Sequence, residues 1–167
     1  MLTETPTTDS SEVIDVLSTL IEYARDGQEG FKHAAEHANS PELREFFMDC
    51  SNQRAQFVTE LQSLQSLQGE DSPDNDGSMT GALHRAWIDI RSVVTQRDDQ
   101  ATLEEAERGE DAAVSAYREA LEDADTPLPE NVASVIRSQA ALVKQTHDRV
   151  RELRDSGRFA TLEPVRD

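Results

Sequence analysis

Apolar residues recur every three to four positions along most of the chain, which is the period of an amphipathic α-helix. Ser10 or Ser11 can cap the first such segment. The sequence "NSPEL" marks a second start, with Ser40 as N-cap and Pro41 in the first turn. The inward positions of the first segment are Val13, Leu17, Ile21, Ala24, Gln28, Phe31 and Ala35. Those of the second are Leu43, Phe46, Cys50, Gln53, Phe57, Leu61 and Leu64. Two helices are therefore predicted, over about 10–38 and about 41–68.

The acidic, turn-rich segment "EDSPDNDGS" separates these helices from a second pair. Asp98 or Asp99 can cap the third long helix, which is predicted to reach about residue 124. After "DTPLPEN" the last helix is predicted over about 130–155, with Val132, Ile136, Val143, His147 and Val150 facing inward. Between the two pairs, a short helix beginning at Thr80 would present Leu83, Trp87, Ile90 and Val94 on one side.

Four long helices, with short links inside each pair and a long connection between the pairs, predict an all-α four-helix bundle with a crossover. This connectivity is found in ferritin-like folds. Residues 1–9 are expected to be disordered, and 10–155 to form the bundle. Residues 156–167 are expected to form a tail that is mobile or docked on a neighbouring chain. The predicted core includes Leu17, Phe31, Phe46, Phe57, Tyr117, Val143 and Val150.

Composition narrows the classes of function. A length of 167 residues suits one domain, and a formal net charge of -18 argues against binding to nucleic acid or to an anionic membrane. The single cysteine, Cys50, excludes a disulfide framework and favours a reducing compartment. No apolar run approaches a membrane span, and the first residues lack the pattern of a signal peptide, so a cytoplasmic location is expected. The acidic, lysine-poor composition fits either a high-salt cytoplasm or an ordinary acidic protein.

A carboxylate interrupts the apolar stripe of the third long helix. Glu110 lies among Leu103, Ala106, Ala113, Tyr117 and Ala120, which share one helical face. Antiparallel helices pair residues equidistant from their turn, which places Glu110 level with Lys144 and His147. The same reasoning places Gln28 level with two further glutamines. One layer of the bundle is therefore predicted to be polar, and its members are Gln28, Gln53, Gln56, Glu110, Lys144 and His147.

Four stretches of the sequence resemble a known family: "DGQEGFKHAAE", "ALHRAWIDIRS", "ERGEDAAVSAYREAL" and "THDRVRELRD". They are similar to an uncharacterised bacterial ferritin-like four-helix-bundle family, domain of unknown function 2383, over about 11–155. The stretch "RGEDAAVSAY" is also similar to the third-helix glutamate motif of rubrerythrins. This resemblance implies a layer related to a di-iron site, with Glu110 as a metal ligand.

The polar layer departs from a di-iron ligand set, which combines four glutamates with two histidines. Only Glu110 and His147 keep metal-binding chemistry, and Lys144 adds a positive charge. A degenerate site without a cofactor is therefore predicted, in which Lys144 neutralises Glu110 inside the bundle. In one alternative, Glu110 and His147 hold a single divalent ion, iron or zinc, with Glu29 or water. In another, the helix is rotated and leaves Glu110 near solvent.

A second polar group lies on the first helix, where "HAAEH" places His33, Glu36 and His37 within one turn. Imidazoles at this spacing can chelate zinc or nickel. A solvated helix face is nevertheless the favoured interpretation, because these residues lie away from Phe31 and Ala35.

The favoured function is non-enzymatic, without catalytic residues. It is that of a stress-related binding or assembly protein that forms homo-oligomers or binds an unknown protein partner. The alternative is a metal-binding protein with oxidase or storage activity. The two hypotheses differ in whether the polar layer holds a metal ion.

Overall fold

The computed structural model describes residues 9–69, 98–122 and 127–160, which form four α-helices and contain no strand. The helices are α1 (Ser10–His37), α2 (Pro41–Leu67), α3 (Asp99–Glu122) and α4 (Glu130–Asp155). The predicted all-α four-helix architecture is confirmed. The disorder expected for residues 1–8 and the short helix expected around Trp87 fall outside the described residues. None of the described helices is long and apolar enough to cross a membrane.

Local side-chain caps explain where three of the helices begin. The Asp9 carboxylate accepts the backbone N–H of Ser11 at 3.1 Å, so Asp9 caps α1 in place of the predicted serines. Ser40 caps α2 as predicted, with its hydroxyl 3.5 Å from the backbone nitrogen of Leu43. At the start of α3 the Asp98 carboxylate accepts the N–H of Ala101 at 3.1 Å. These contacts satisfy amides that have no partner within their helix.

The start of α3 also holds the turn between α1 and α2. The two carboxylate oxygens of Asp99 accept the backbone N–H groups of Asn39 and Ser40, each at 2.9 Å. Because Asp99 is 59 residues beyond Ser40 in sequence, this contact joins the two halves of the bundle. It therefore fixes the position of α3 against the end of the first hairpin.

The four helices contact one another in a closed cycle. Helix α1 packs against α2 and α3, and α4 packs against α3 and α2. Two hydrogen bonds between α1 and α2, from Gln65 to the Ser18 hydroxyl and from the Ser51 hydroxyl to the Gln28 carbonyl, show that these helices run antiparallel. In this arrangement α2 and α3 lie on a diagonal of the bundle, so a contact between them must cross the core.

The core consists of two apolar clusters. The first lies near the turn between α1 and α2 and includes Phe31, Leu43, Phe47, Leu103 and Val150. The second fills the other end of the bundle and includes Leu17, Phe57, Tyr117, Ile136 and Val143. Six of the seven predicted core residues are buried, and the seventh, Phe46, is half-buried against the first cluster. Polar side chains are buried between the two clusters.

The tail does not follow the expectation from sequence over its first residues. Phe159 is half-buried against the first apolar cluster of its own chain, and Arg158 forms two 3.0 Å hydrogen bonds with the carboxylate of Glu42. A stretch with no helical period was expected to be mobile or to dock on another chain. That expectation is wrong for 156–160, because one aromatic ring and one ion pair suffice to hold a short non-helical segment on the bundle.

We expect Phe159→Ala to lower the free energy of unfolding by about 1 kcal/mol, since it removes a half-buried aromatic side chain. Urea denaturation followed by circular dichroism measures this difference. Leu67→Ala is the control, because Leu67 is 74% exposed and its truncation should leave the midpoint unchanged. Equal midpoints for the two variants would mean that Phe159 does not pack on the bundle in solution.

Candidate core site

An arginine neutralises the carboxylate in the core. Nη2 of Arg54 on α2 lies 2.5 Å from Oε2 of Glu110 on α3, and the two side chains are 2% and 0% exposed. The ion pair crosses the diagonal of the bundle between the two apolar clusters. Glu110 can lie in an apolar stripe because its carboxylate is paired with a cation in the centre of the bundle.

Aromatic rings and an amide surround the guanidinium of Arg54. Its central carbon lies 5.7 Å from the centre of the Phe31 ring and 5.2 Å from that of Phe57, distances at which cation–π attraction operates. Nη1 donates a hydrogen bond to Oε1 of Gln53 at 3.0 Å, and the Thr146 hydroxyl donates to the same oxygen at 3.3 Å. The cation is thus held by contacts from α1 and α2 as well as by the carboxylate of α3, and Thr146 of α4 contacts the same amide oxygen of Gln53.

Gly27 makes room for the stem of the arginine. A Cβ atom at this position would lie 3.3 Å from Cγ of Arg54 and 3.4 Å from Cδ. The shorter distance is tighter than ordinary packing, and Arg54 cannot easily move because its head group is bound to Glu110. The glycine therefore allows α1 to pass close to the buried side chain.

The protonation of Glu110 is governed by two opposing effects. Burial raises the pKa of its carboxyl above the usual range, while the charge of Arg54 and the hydrogen bond from it lower the pKa, burial being the larger effect. The second oxygen, Oε1, is buried and accepts no hydrogen bond from the described residues. The carboxylate charge therefore depends on Arg54, since little else in its surroundings stabilises it.

The pair influences two neighbouring groups. Burial raises the pKa of the Cys50 thiol to about 12, and the negative charge of Glu110 adds to that effect. Burial also raises the pKa of Tyr117, whose hydroxyl donates a 2.8 Å hydrogen bond to Gln139. Cys50 is therefore a neutral thiol at physiological pH, and Tyr117 a neutral phenol, so neither supplies an anionic ligand.

The structure contradicts the predicted ion pair between Glu110 and Lys144. The side chain of Lys144 is 67% exposed, and its ammonium lies 2.7 Å from the carboxylate of Asp148. The buried positions of α4 pass through Val143 and His147, and Lys144 is rotated about 100° from Val143. Lys144 therefore points to solvent although the hairpin places it near the level of Glu110.

The three predicted glutamines also occupy different environments. Gln53 is half-buried and contacts Arg54, as described above. Gln28 is half-buried, and its backbone carbonyl accepts the hydroxyl of Ser51 at 2.8 Å. Gln56 is exposed, so it does not belong to the layer. The alternative in which Glu110 lies near solvent is also contradicted, since its side chain is fully buried.

His147 is buried but makes its contacts with other acids. Its Nε2 lies 2.7 Å from the carboxylate of Asp111, and its Nδ1 lies 3.1 Å from that of Asp148. Glu29, the third ligand in the single-ion alternative, is exposed. The structure thus places Glu110 against Arg54 and His147 against Asp111, and it does not join the two candidate ligands in one hydrogen-bonded group.

Ligand atoms of Glu107, Asp111 and His147 do lie within 4.8 Å of one another, a spacing that could hold a metal ion. The carboxylate of Glu107, however, accepts a hydrogen bond from Arg151 at 3.0 Å and a shorter one from Arg154. A metal ion at this position would have to compete with two guanidinium groups for the same oxygens. The group is better described as an ion-pair network between α3 and α4.

The core layer does not fit a di-iron centre. Such a centre needs several carboxylates to balance the charge of two iron ions. Among the residues that the structure describes, the layer contains one buried carboxylate, Glu110, and that carboxylate is already paired with the permanent charge of Arg54. The side chains of Arg54 and Glu110 thus form an ion pair that is closed to solvent.

Sequence reasoning missed Arg54, although a signal for it existed. Arg54 lies four residues after Cys50 and three before Phe57, so it falls on the apolar stripe of α2. Glu110 occupies the same kind of position in α3. Opposite charges at inward positions of two different helices form a pattern from which a buried ion pair can be predicted.

Comparison with known proteins assigns the chain to a family. Among curated proteins, none matches the sequence. A family model described as "Domain of unknown function (DUF2383)" matches residues 12–123, a range that includes most of α1, all of α2 and all of α3. Because this match spans more than half of the chain, the protein belongs to the DUF2383 family.

Proposed function

We propose that this protein is a non-enzymatic, ferritin-like bundle in which an internal ion pair occupies the layer where such bundles hold metal. The observation that carries the proposal is the 2.5 Å contact between Arg54 and Glu110, made by two fully buried side chains. A guanidinium keeps its charge at any physiological pH. A metal cation would therefore meet a fixed positive charge in the layer, and its principal carboxylate ligand would already be engaged.

In this proposal the ion pair has a structural role. It joins α2 to α3 across the diagonal, where the rings of Phe57 and Tyr117 also approach each other, with centroids 6.5 Å apart. A buried pair favours the single arrangement in which both charges meet, because every other arrangement leaves one of them without a partner. The pair thus specifies how the two hairpins are placed against each other.

The function then resides on the surface, in binding a partner or in assembly with other copies. The net charge of -18 repels a second copy of the same chain at low ionic strength and attracts a cationic protein surface. A protein partner with a basic surface is therefore favoured over self-assembly under those conditions. The proposal includes a role of this protein in the stress response.

The second candidate function is that of a metalloprotein with oxidase or storage activity. The observation that favours it is the group of Glu107, Asp111 and His147, whose ligand atoms lie within 4.8 Å of one another. In that case the metal would bind between α3 and α4, and the core pair would still be closed. The two candidates therefore differ in a property that can be measured directly.

We expect the tag-free protein to oxidise ferrous iron no faster than buffer alone, because the core layer offers one carboxylate that Arg54 already occupies. Oxygen consumption after addition of ferrous iron measures this rate. Glu110→Gln and Asp111→Asn are the matched variants, since each removes one carboxylate charge. Catalysed oxidation that is lost in Glu110→Gln would refute the proposal, whereas oxidation lost only in Asp111→Asn would establish the second candidate.

A further inference from the structure

The last turns of α1 carry a group of polar side chains that is separate from the core ion pair. His33 and His37 are half-buried, Glu36 is exposed, and one ligand atom from each lies within 4.8 Å of the others. The two imidazole rings are close, with centroids 4.3 Å apart. These three side chains therefore converge at the edge of the bundle, where Glu36 is exposed to solvent.

The contact of His37 with the backbone determines which of its nitrogens can bind a cation. Nδ1 lies 2.9 Å from the carbonyl oxygen of His33. A carbonyl oxygen only accepts hydrogen bonds, so Nδ1 must carry the hydrogen, and Nε2 of the neutral ring has the lone pair. Metal-binding histidines are oriented in this way in many proteins, by a hydrogen bond from the nitrogen that does not bind the metal.

We infer that His33, Glu36 and His37 form a binding site for one divalent transition-metal ion of the zinc type. Two imidazole nitrogens and one carboxylate oxygen are a ligand set that zinc accepts, with a fourth position left for water or a ligand from another molecule. Bonds of about 2.0–2.2 Å place tetrahedral ligand atoms roughly 3.4 Å apart. The exposed side chain of Glu36 can close the remaining distance by a change of rotamer.

The position of the site also favours a cation. His37 is the last residue of α1, where the helix dipole places partial negative charge on backbone carbonyls. The protein as a whole carries a charge of -18, which raises the local concentration of divalent cations. Both effects act in addition to the ligands themselves.

Two other groups of the described residues compare poorly with this site. Glu107, in the group between α3 and α4, is bound by two arginines, so a cation must displace them. Cys50 is buried, and its pKa of about 12 keeps it from supplying a thiolate. The inferred site lies on the surface of α1 and does not depend on the state of the core pair.

Zinc titration of the tag-free protein, followed by isothermal calorimetry, tests the inference. We expect one zinc ion per chain in the wild type and none in the His33→Gln/His37→Gln double variant. The single variant Glu36→Gln alters an exposed side chain, so it should retain the fold and bind zinc at least about tenfold more weakly, through loss of a direct ligand. Asp111→Asn is the matched control and should bind zinc as the wild type does.

Three results would overturn the inference: no zinc bound by the wild type, unchanged binding by the double variant and by Glu36→Gln, or binding lost in Asp111→Asn. The last result would place the metal between α3 and α4. Because the readout is zinc affinity, none of these results bears on the oxidation of iron in the core layer. The inference and the proposed function can therefore fail independently.

Discussion

Glu110→Ala is expected to lower the free energy of unfolding by about 3–5 kcal/mol, the usual effect of removing one partner of a buried ion pair. The substitution leaves the guanidinium of Arg54 in the core with no counter-charge. Arginine does not release its proton at accessible pH, so it cannot escape this penalty by becoming neutral. The penalty on Arg54 itself should therefore not change with pH in urea denaturation. Burial raises the folded pKa of Glu110 in the wild type, so the difference between the two proteins should shrink as pH rises from about 4.5 to that pKa and be constant above it.

Two variants separate the charge effect from other causes. Glu110→Gln preserves the size of the side chain and an acceptor oxygen, so any loss of stability that it shares with Glu110→Ala comes from the missing charge. Lys144→Ala should leave the unfolding midpoint unchanged, because Lys144 is exposed and paired with an exposed aspartate. If Lys144→Ala proved as destabilising as Glu110→Ala, the exposed position of Lys144 would be wrong.

The helices and their order could be predicted from sequence because the signals for them are local. Ser40 and Pro41 mark the start of α2, and apolar residues recur at helical spacing through each helix. A cap depends on a side chain and a backbone amide that are neighbours in the chain. Such signals do not require knowledge of which helices are adjacent.

It is harder to predict from sequence which side of a helix faces the core, and Lys144 is the clearest case. Counting residues from a turn gives the level of a residue along the hairpin, and it placed Lys144 near the level of Glu110. It does not give the rotation of the helix about its own axis. One residue changes that rotation by about 100°, so Val143 is buried while Lys144 is exposed.

The identity of the buried cation depends on contacts between distant parts of the chain. Arg54 and Glu110 are 56 residues apart, and they meet only when two helices on a diagonal approach across the core. Arginine is most often exposed, so general burial preferences favour an outward position for Arg54. The close approach at Gly27 and the ring of Phe31 help to reverse that preference, and both come from α1, outside the local sequence of Arg54.

Arg54→Met is expected to destabilise the protein by an amount that increases with pH. In this variant burial raises the pKa of Glu110 without opposition from the arginine, so the folded protein holds a proton that the unfolded chain has released above about 4.5. A group with a raised folded pKa loses stability as pH rises from the unfolded pKa to the folded one. In the wild type this loss ends at a lower pH, because the charge of Arg54 lowers the folded pKa.

The difference in stability between Arg54→Met and the wild type should therefore grow by about 1.4 kcal/mol per pH unit while Glu110 is protonated in the variant alone. Urea denaturation at intervals between about pH 5 and pH 8 measures the slope, which reports proton binding by the folded state. Adding Glu110→Gln to Arg54→Met removes the titrating carboxyl, so the slope should return to that of Glu110→Gln. A penalty for Arg54→Met that does not change with pH would mean that Glu110 does not titrate in the core. Arg54→Met should differ from Glu110→Ala in this respect, because a stranded carboxylate can become neutral by taking up a proton, whereas a stranded guanidinium cannot.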